Sequence, residues 1–121
     1  MVMKTKEEII RGMGGFYGTD EYFRWSILFN KAYLTDGAKY VAEAAEAYWL
    51  MDMIMSHAKS VDEFPAYAKL VVKDKTAVFT LEGYQSKVTQ EIEYTDFPLD
   101  EISLKLGFDG EHYIICLPSE D

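Results

Sequence analysis

The stretch AYAKLVVKDKTAVFTLE, residues Ala66–Glu82, decides the fold class. Ala66–Val72 and Thr76–Glu82 are short runs of period two, and Lys73-Asp74-Lys75 between them has the composition of a hairpin turn. Toward the C-terminus the alternation continues. Val88, Gln90, Ile92 and Tyr94 alternate with Thr89, Glu91 and Glu93, giving one apolar and one acidic edge. Phe97-Pro98-Leu99 interrupts the pattern, and Ile102, Leu104 and Leu106 resume it around Ser103 and Lys105. Asp109-Gly110 suits a tight turn, after which Tyr113–Leu117 completes a second hairpin.

Toward the N-terminus the period changes. Thr35 or Asp36 can cap a helix, and no Pro or Gly interrupts the residues from Ala38 to Val61. Val41, Ala44, Ala45, Tyr48, Met51, Ile54 and Met55 recur at three- and four-residue spacing and form one apolar stripe. This predicts a single long amphipathic helix ending near Lys59, before Val61-Asp62-Glu63-Phe64-Pro65. Further upstream, Thr5 and Glu8 fit a capping box for a short helix over about residues 5–13, stopped by Gly14-Gly15. The stretch Gly12-Met13-Gly14-Gly15 lacks the Lys and helix start of a phosphate loop and reads as a flexible joint. The aromatic segment Tyr22–Phe29 fits either a strand or a helix, and the turn-like Asn30-Lys31 after it favours a strand. Together these elements predict an α+β fold: a short N-terminal helix and one long helix packed on an antiparallel sheet of about four to six strands.

A chain of 121 residues, 49% of them hydrophobic, fits one domain over residues 1–121 with an adequate core. The lone Cys116 excludes an internal disulfide. No apolar run is long enough to span a bilayer, and the N-terminus lacks the apolar core of a signal peptide, so a cytoplasmic location is expected.

Charge is distributed unevenly. Lys plus Arg is 12 and Asp plus Glu is 21, so the net charge is 12 − 21 = −9. Residues 61–121 carry five basic and thirteen acidic side chains, a net of 5 − 13 = −8. Nucleic-acid affinity rests on neutralising phosphates with Lys and Arg, so direct binding to DNA or RNA is not expected. Nor is attraction to anionic membranes.

Catalytic signatures are missing from the sequence: no P-loop, no dinucleotide fingerprint, no serine elbow and no paired-His metal motif. His57 follows Asp52 and Ser56, but neighbours on one helix point in different directions and do not converge as a triad. His112 and Cys116 share a strand face and are too few for zinc. No cofactor or metal is therefore expected. Glu91 and Glu93 lie about 7 Å apart on one strand face, a spacing compatible with acid chemistry or with a solvated face.

Two stretches are familiar together. Tyr33-Leu34-Thr35-Asp36-Gly37-Ala38-Lys39-Tyr40 through Ala47-Tyr48-Trp49-Leu50-Met51-Asp52 resembles a YTDG-KYLAE…AYWLLD pattern, with Leu34 as an extra residue. Glu91–Ile102 and Leu117-Pro118-Ser119-Glu120 resemble its C-terminal half. The pattern belongs to an uncharacterised family, a domain of unknown function found in bacteria, especially cyanobacteria, and in phages and mobile elements. The resemblance implies a phage or mobile-element origin. It brings no reaction, ligand or catalytic residue.

The resulting expectation is a small, acidic, non-catalytic binding protein, in concrete form an anti-defence inhibitor of the anti-CRISPR kind. Its partner would be a basic host protein that itself binds nucleic acid, met by Glu91, Glu93, Asp96, Asp100 and Glu101. The alternative is a small-ligand protein, a nucleotide sponge or an unrecognised enzyme. It would use an aromatic pocket built from Arg24, Trp25, Tyr48 and Trp49. A third class is an accessory protein that works as a homo-oligomer.

Overall fold

In the computed structural model, residues 5–16, 22–24 and 32–120 are described. Helix α1 (Lys6–Met13) starts at the capping box foreseen from sequence, the Thr5 hydroxyl accepting from the Glu8 N–H while the Glu8 carboxylate returns to the Thr5 N–H. Strands β1 (Tyr22–Arg24) and β2 (Ala32–Thr35) follow, then helices α2 (Asp36–Ala44) and α3 (Tyr48–Ser56) and a short 3-10 turn at Ala58–Ser60. Five strands complete the sheet: β3 (Ala66–Lys73), β4 (Thr76–Glu82), β5 (Lys87–Ile92), β6 (Glu101–Phe108) and β7 (Tyr113–Cys116).

The described residues therefore form an α+β fold with a seven-stranded sheet in the order β1-β2-β7-β6-β3-β4-β5. It has more strands than expected. It is also mixed, because β2 runs parallel to β7 while every other pairing is antiparallel. That parallel contact joins strands 81 residues apart (Tyr33 to Ile114), a pairing that local alternation cannot reveal.

The predicted long helix is two helices. At the C-terminus of α2 the Ala47 N–H bonds the Ala42 carbonyl at 2.9 Å and the Glu46 N–H bonds that of Glu43 at 3.3 Å. This is a Schellman closure with Glu46 in the left-handed region at φ 50°. Such a position usually carries glycine, and here glutamate fills it, so the stop is invisible in the sequence. The bend is packed on alanines: Ala44, Ala45 and Ala47 are all buried. Val41, Met51 and Met55 lie in the core as the stripe predicts, whereas Tyr48 is 44% exposed because α3 begins on a new heading.

The β3–β4 hairpin turns as expected. Asp74 (φ 52°) and Lys75 (φ 65°) give the two left-handed residues of a type I′ turn that matches strand twist. Gly110, at φ 96°, serves the β6–β7 turn. Gly12 is no joint: it sits inside α1, where a Cβ would lie 2.1 Å from the Tyr40 hydroxyl oxygen, so its bareness lets α1 pack on that ring.

The helices cover one face of the sheet. Leu34, Ile115, Leu106, Leu104, Leu70, Phe79 and Leu81 form that face, each 2% exposed or less. Alternate residues on these strands and on β5, among them Tyr67, Lys69, Val71, Val78, Glu91 and Glu101, point to the other side and stay exposed.

Candidate functional site

The loop from Glu93 to Asp100 folds back along the edge of the helix layer. The Thr95 N–H donates to the Lys75 carbonyl at 2.8 Å, and the buried Thr95 hydroxyl accepts the Phe97 N–H at 3.1 Å. Phe97 and Leu99 sink into the core at 5% and 4% exposure. The Asp100 carbonyl accepts the Val72 N–H at 2.7 Å, and its carboxylate pairs with Lys6 of α1, which holds the lysine above the usual range. The loop is thus held at both ends and pinned in the middle.

Between this loop and α3 lies a cleft of about 280 Å³ lined by Trp49, Met53, Ile92, Tyr94, Thr95 and Asp96. Trp49 is set edge-on against Phe97, with centroids 6.1 Å apart, which fixes the indole plane. Tyr94 is 68% exposed at the rim. Asp96 is exposed and has no lysine or arginine within ion-pair distance among the described residues. Two aromatic rings, a thioether and an unengaged carboxylate suit an organic cation: the ring faces attract it and the carboxylate fixes it.

Of the residues expected to bind a partner, only Asp96 reaches this cleft. Glu93 is exposed beyond the end of β5. Asp100 is engaged with Lys6, and Glu101 lies 3.8 Å from Lys69 on the helix-free face, where Glu91 also stands. The five carboxylates do not make one surface. The reason is the strand period, which sends Glu91 and Glu101 to the side opposite the helices while the loop carries Asp96 around the edge. Of the aromatic set, Trp49 lines the cleft and Tyr48 is not among its lining residues. Partial desolvation pushes the Tyr48 hydroxyl above its usual range, assisted by Glu43. Trp25 and the Arg24 side chain lie outside the described residues.

A second cleft, of about 320 Å³, is lined by Tyr22, Tyr33, Asp109, His112 and Ile114. Its carboxylate is already committed. Asp109 accepts the backbone N–H groups of His112 at 2.6 Å and Glu111 at 2.9 Å, which hold its carboxyl below the usual range. His112 packs edge-on to Tyr33 at 5.2 Å and sits 3.5 Å from Asp109, so it serves the turn. His57 closes α3, its Nε2 3.0 Å from Gln90 Oε1 and its ring stacked on Phe79. Among the described residues no group of three or more His, Cys, Asp or Glu side chains could hold a metal. None of the described helices is long and apolar enough to cross a membrane.

Sequence reading missed Tyr94, Met53, Ile92 and Thr95 as wall residues. Ile92 and Tyr94 read as strand apolars, and nothing in the sequence marks Thr95, whose burial depends on the loop fold.

The profile of a family of unknown function, DUF6876, matches residues 7–121. The chain belongs to the DUF6876 family. The family carries no assigned activity. No curated protein and no solved structure matches the chain. The cleft residues, like nearly all of the fold, fall within the matched span of this DUF6876 chain.

Proposed function

We propose that this DUF6876 chain is a small non-catalytic binding protein that engages a basic partner through the Trp49–Tyr94–Asp96 cleft. The observation that carries the reading is the meeting of Trp49 and Asp96, 47 residues apart in sequence, in one cleft whose carboxylate no basic side chain of the described residues neutralises. Two physical arguments support it. A net charge of −9 draws a basic protein toward the chain at long range. The pinned loop presents its aromatic and acidic groups already ordered, which lowers the entropic cost of association. A lysine or arginine side chain is the ligand such a cleft accommodates best. In its concrete form the partner is a nucleic-acid-binding defence protein of the host, and the chain is an inhibitor carried by a phage or mobile element.

The test compares the parent protein with Asp96→Asn, Trp49→Ala and a Glu91→Gln/Glu101→Gln pair. Expressed in cells with an active defence system, the parent should raise the plating efficiency of a restricted phage. Asp96→Asn and Trp49→Ala should lose that effect while the Glu91/Glu101 pair keeps it. Full protection by Asp96→Asn, or no effect of the parent on any defence system tried, would overturn the reading.

A further inference from the structure

The helix-free face of the sheet carries a charge pattern that the cleft reading does not use. Strand pairing sets its side chains in rows. Lys105, Tyr67, Glu82 and Lys87 form one row across β6, β3, β4 and β5. Ser103, Lys69, Thr80 and Thr89 form the next, and Glu101, Val71, Val78 and Glu91 the third. Within these four strands lysines flank the first row, with Glu82 between them, and glutamates flank the third; the first row runs on to Cys116 of β7. Tyr67, Val71 and Val78 lie between them at 52%, 43% and 41% exposure. Lys87 and Glu91 make no ion pair among the described residues.

We propose that this face joins two copies of the chain in a two-fold β-sandwich, with the axis running across the strands through the Lys69–Thr80–Thr89 row. A rotation about that axis keeps each strand opposite itself and exchanges the outer rows. Lys87 then faces Glu91 of the second copy, Lys105 faces Glu101, Tyr67 packs on Val71 and the Glu82 stem lies over Val78, each contact occurring twice. The other two-fold, along the strands, would set Lys105 against Lys87 and Glu101 against Glu91. Like charges exclude it. The two Lys69 side chains that meet near the chosen axis are each already paired with Glu101 of their own chain at 3.8 Å. Aligned sheets pack in this manner at about 10 Å, and four strands offer a footprint of roughly 20 by 24 Å. That is about 960 Å² over both copies, below the standard size of stable interfaces, so association should be weak and concentration-dependent. The inference is independent of the proposed partner, because the cleft opens on the helix side.

Sedimentation velocity tests it on the full chain from about 10 μM to about 1 mM. The parent should pass from monomer to dimer. Lys87→Glu and Glu91→Lys should each weaken the dimer at least about tenfold. An equimolar mixture of the two variants should restore it, because every contact then pairs an ammonium with a carboxylate. Both positions are exposed, and circular dichroism identical to the parent checks that folding is unchanged. A parent that stays monomeric throughout, a dimer indifferent to both reversals, or a mixture no tighter than either variant would each overturn the proposal.

Discussion

Glu120 accepts the Thr35 hydroxyl at 2.6 Å, a bond that ties the end of the chain to the start of α2 across 85 residues. The same carboxylate accepts the Gly37 N–H at 2.9 Å and the Leu117 N–H at 2.9 Å. Thr35 is itself the N-cap of α2, accepting from the Ala38 N–H. A negative group here meets unpaired helix N–H donors and the positive end of the helix dipole. The Thr35-Asp36-Gly37 and Leu117-Pro118-Ser119-Glu120 motifs, far apart in the sequence, are therefore one junction.

Removing that carboxylate should be costly. Glu120→Ala leaves the Gly37 and Leu117 N–H groups without their acceptor and the Thr35 hydroxyl with only the Ile115 carbonyl at 3.4 Å, and should lower stability by about 2–3 kcal/mol, read by urea unfolding. An unchanged midpoint would mean that the junction is decorative.

Gly37 shares the site for a steric reason. A Cβ there would lie 2.5 Å from Glu120 Oε1 and 2.7 Å from Leu117 Cδ1. Alanine normally favours a helix over glycine, yet Gly37→Ala should destabilise by about 1–3 kcal/mol. Its cost should shrink in the Glu120→Ala background, which a double-mutant cycle measures.

Met51, on the buried side of α3, is 0% exposed. Met51→Ala should cost about 2–5 kcal/mol through lost burial and a residual cavity, and Met51→Asp more. A melting point within a degree or two of the parent for either variant would remove Met51 from the core.

The β4–β5 loop closes on a carboxylate. Asp62 accepts the Ser86 hydroxyl at 2.7 Å and the backbone N–H groups of Tyr84, Gln85 and Ser86. The Ser86 hydroxyl first, then the backbone donors, hold it below the usual carboxylate range. A depressed folded value means the stabilisation is complete above about pH 4 and is lost as pH falls through the lower folded value. Asp62→Asn should be less stable than the parent at pH 7, and the gap should close on acidification. A gap that stays constant down to about pH 2 would contradict this account.

The sequence made some of this legible. Thr5 and Glu8 announced their capping box, and the strands from Ala66 to Leu106 carried clean alternation because one face is buried and the other open. The break at Glu46 was illegible because a glutamate occupies the left-handed position that glycine usually marks. The parallel β2–β7 pairing was illegible because it depends on distant strands. Within the candidate site, Trp49 and Asp96 were each singled out, but on rival hypotheses. Only the loop anchored through Thr95, Phe97 and Asp100 brings them into one cleft.

The most direct measurement is the ¹H–¹⁵N indole resonance of Trp49, assigned by its loss in Trp49→Phe, during titration with a short arginine-rich peptide at low salt. The account predicts a saturable shift at Trp49, with the backbone amides of Tyr94 and Asp96 moving alongside it. That shift should weaken as salt rises and be absent in Asp96→Asn. Shifts confined to Glu91 and Glu101, or an Asp96→Asn protein that binds as the parent does, would contradict it.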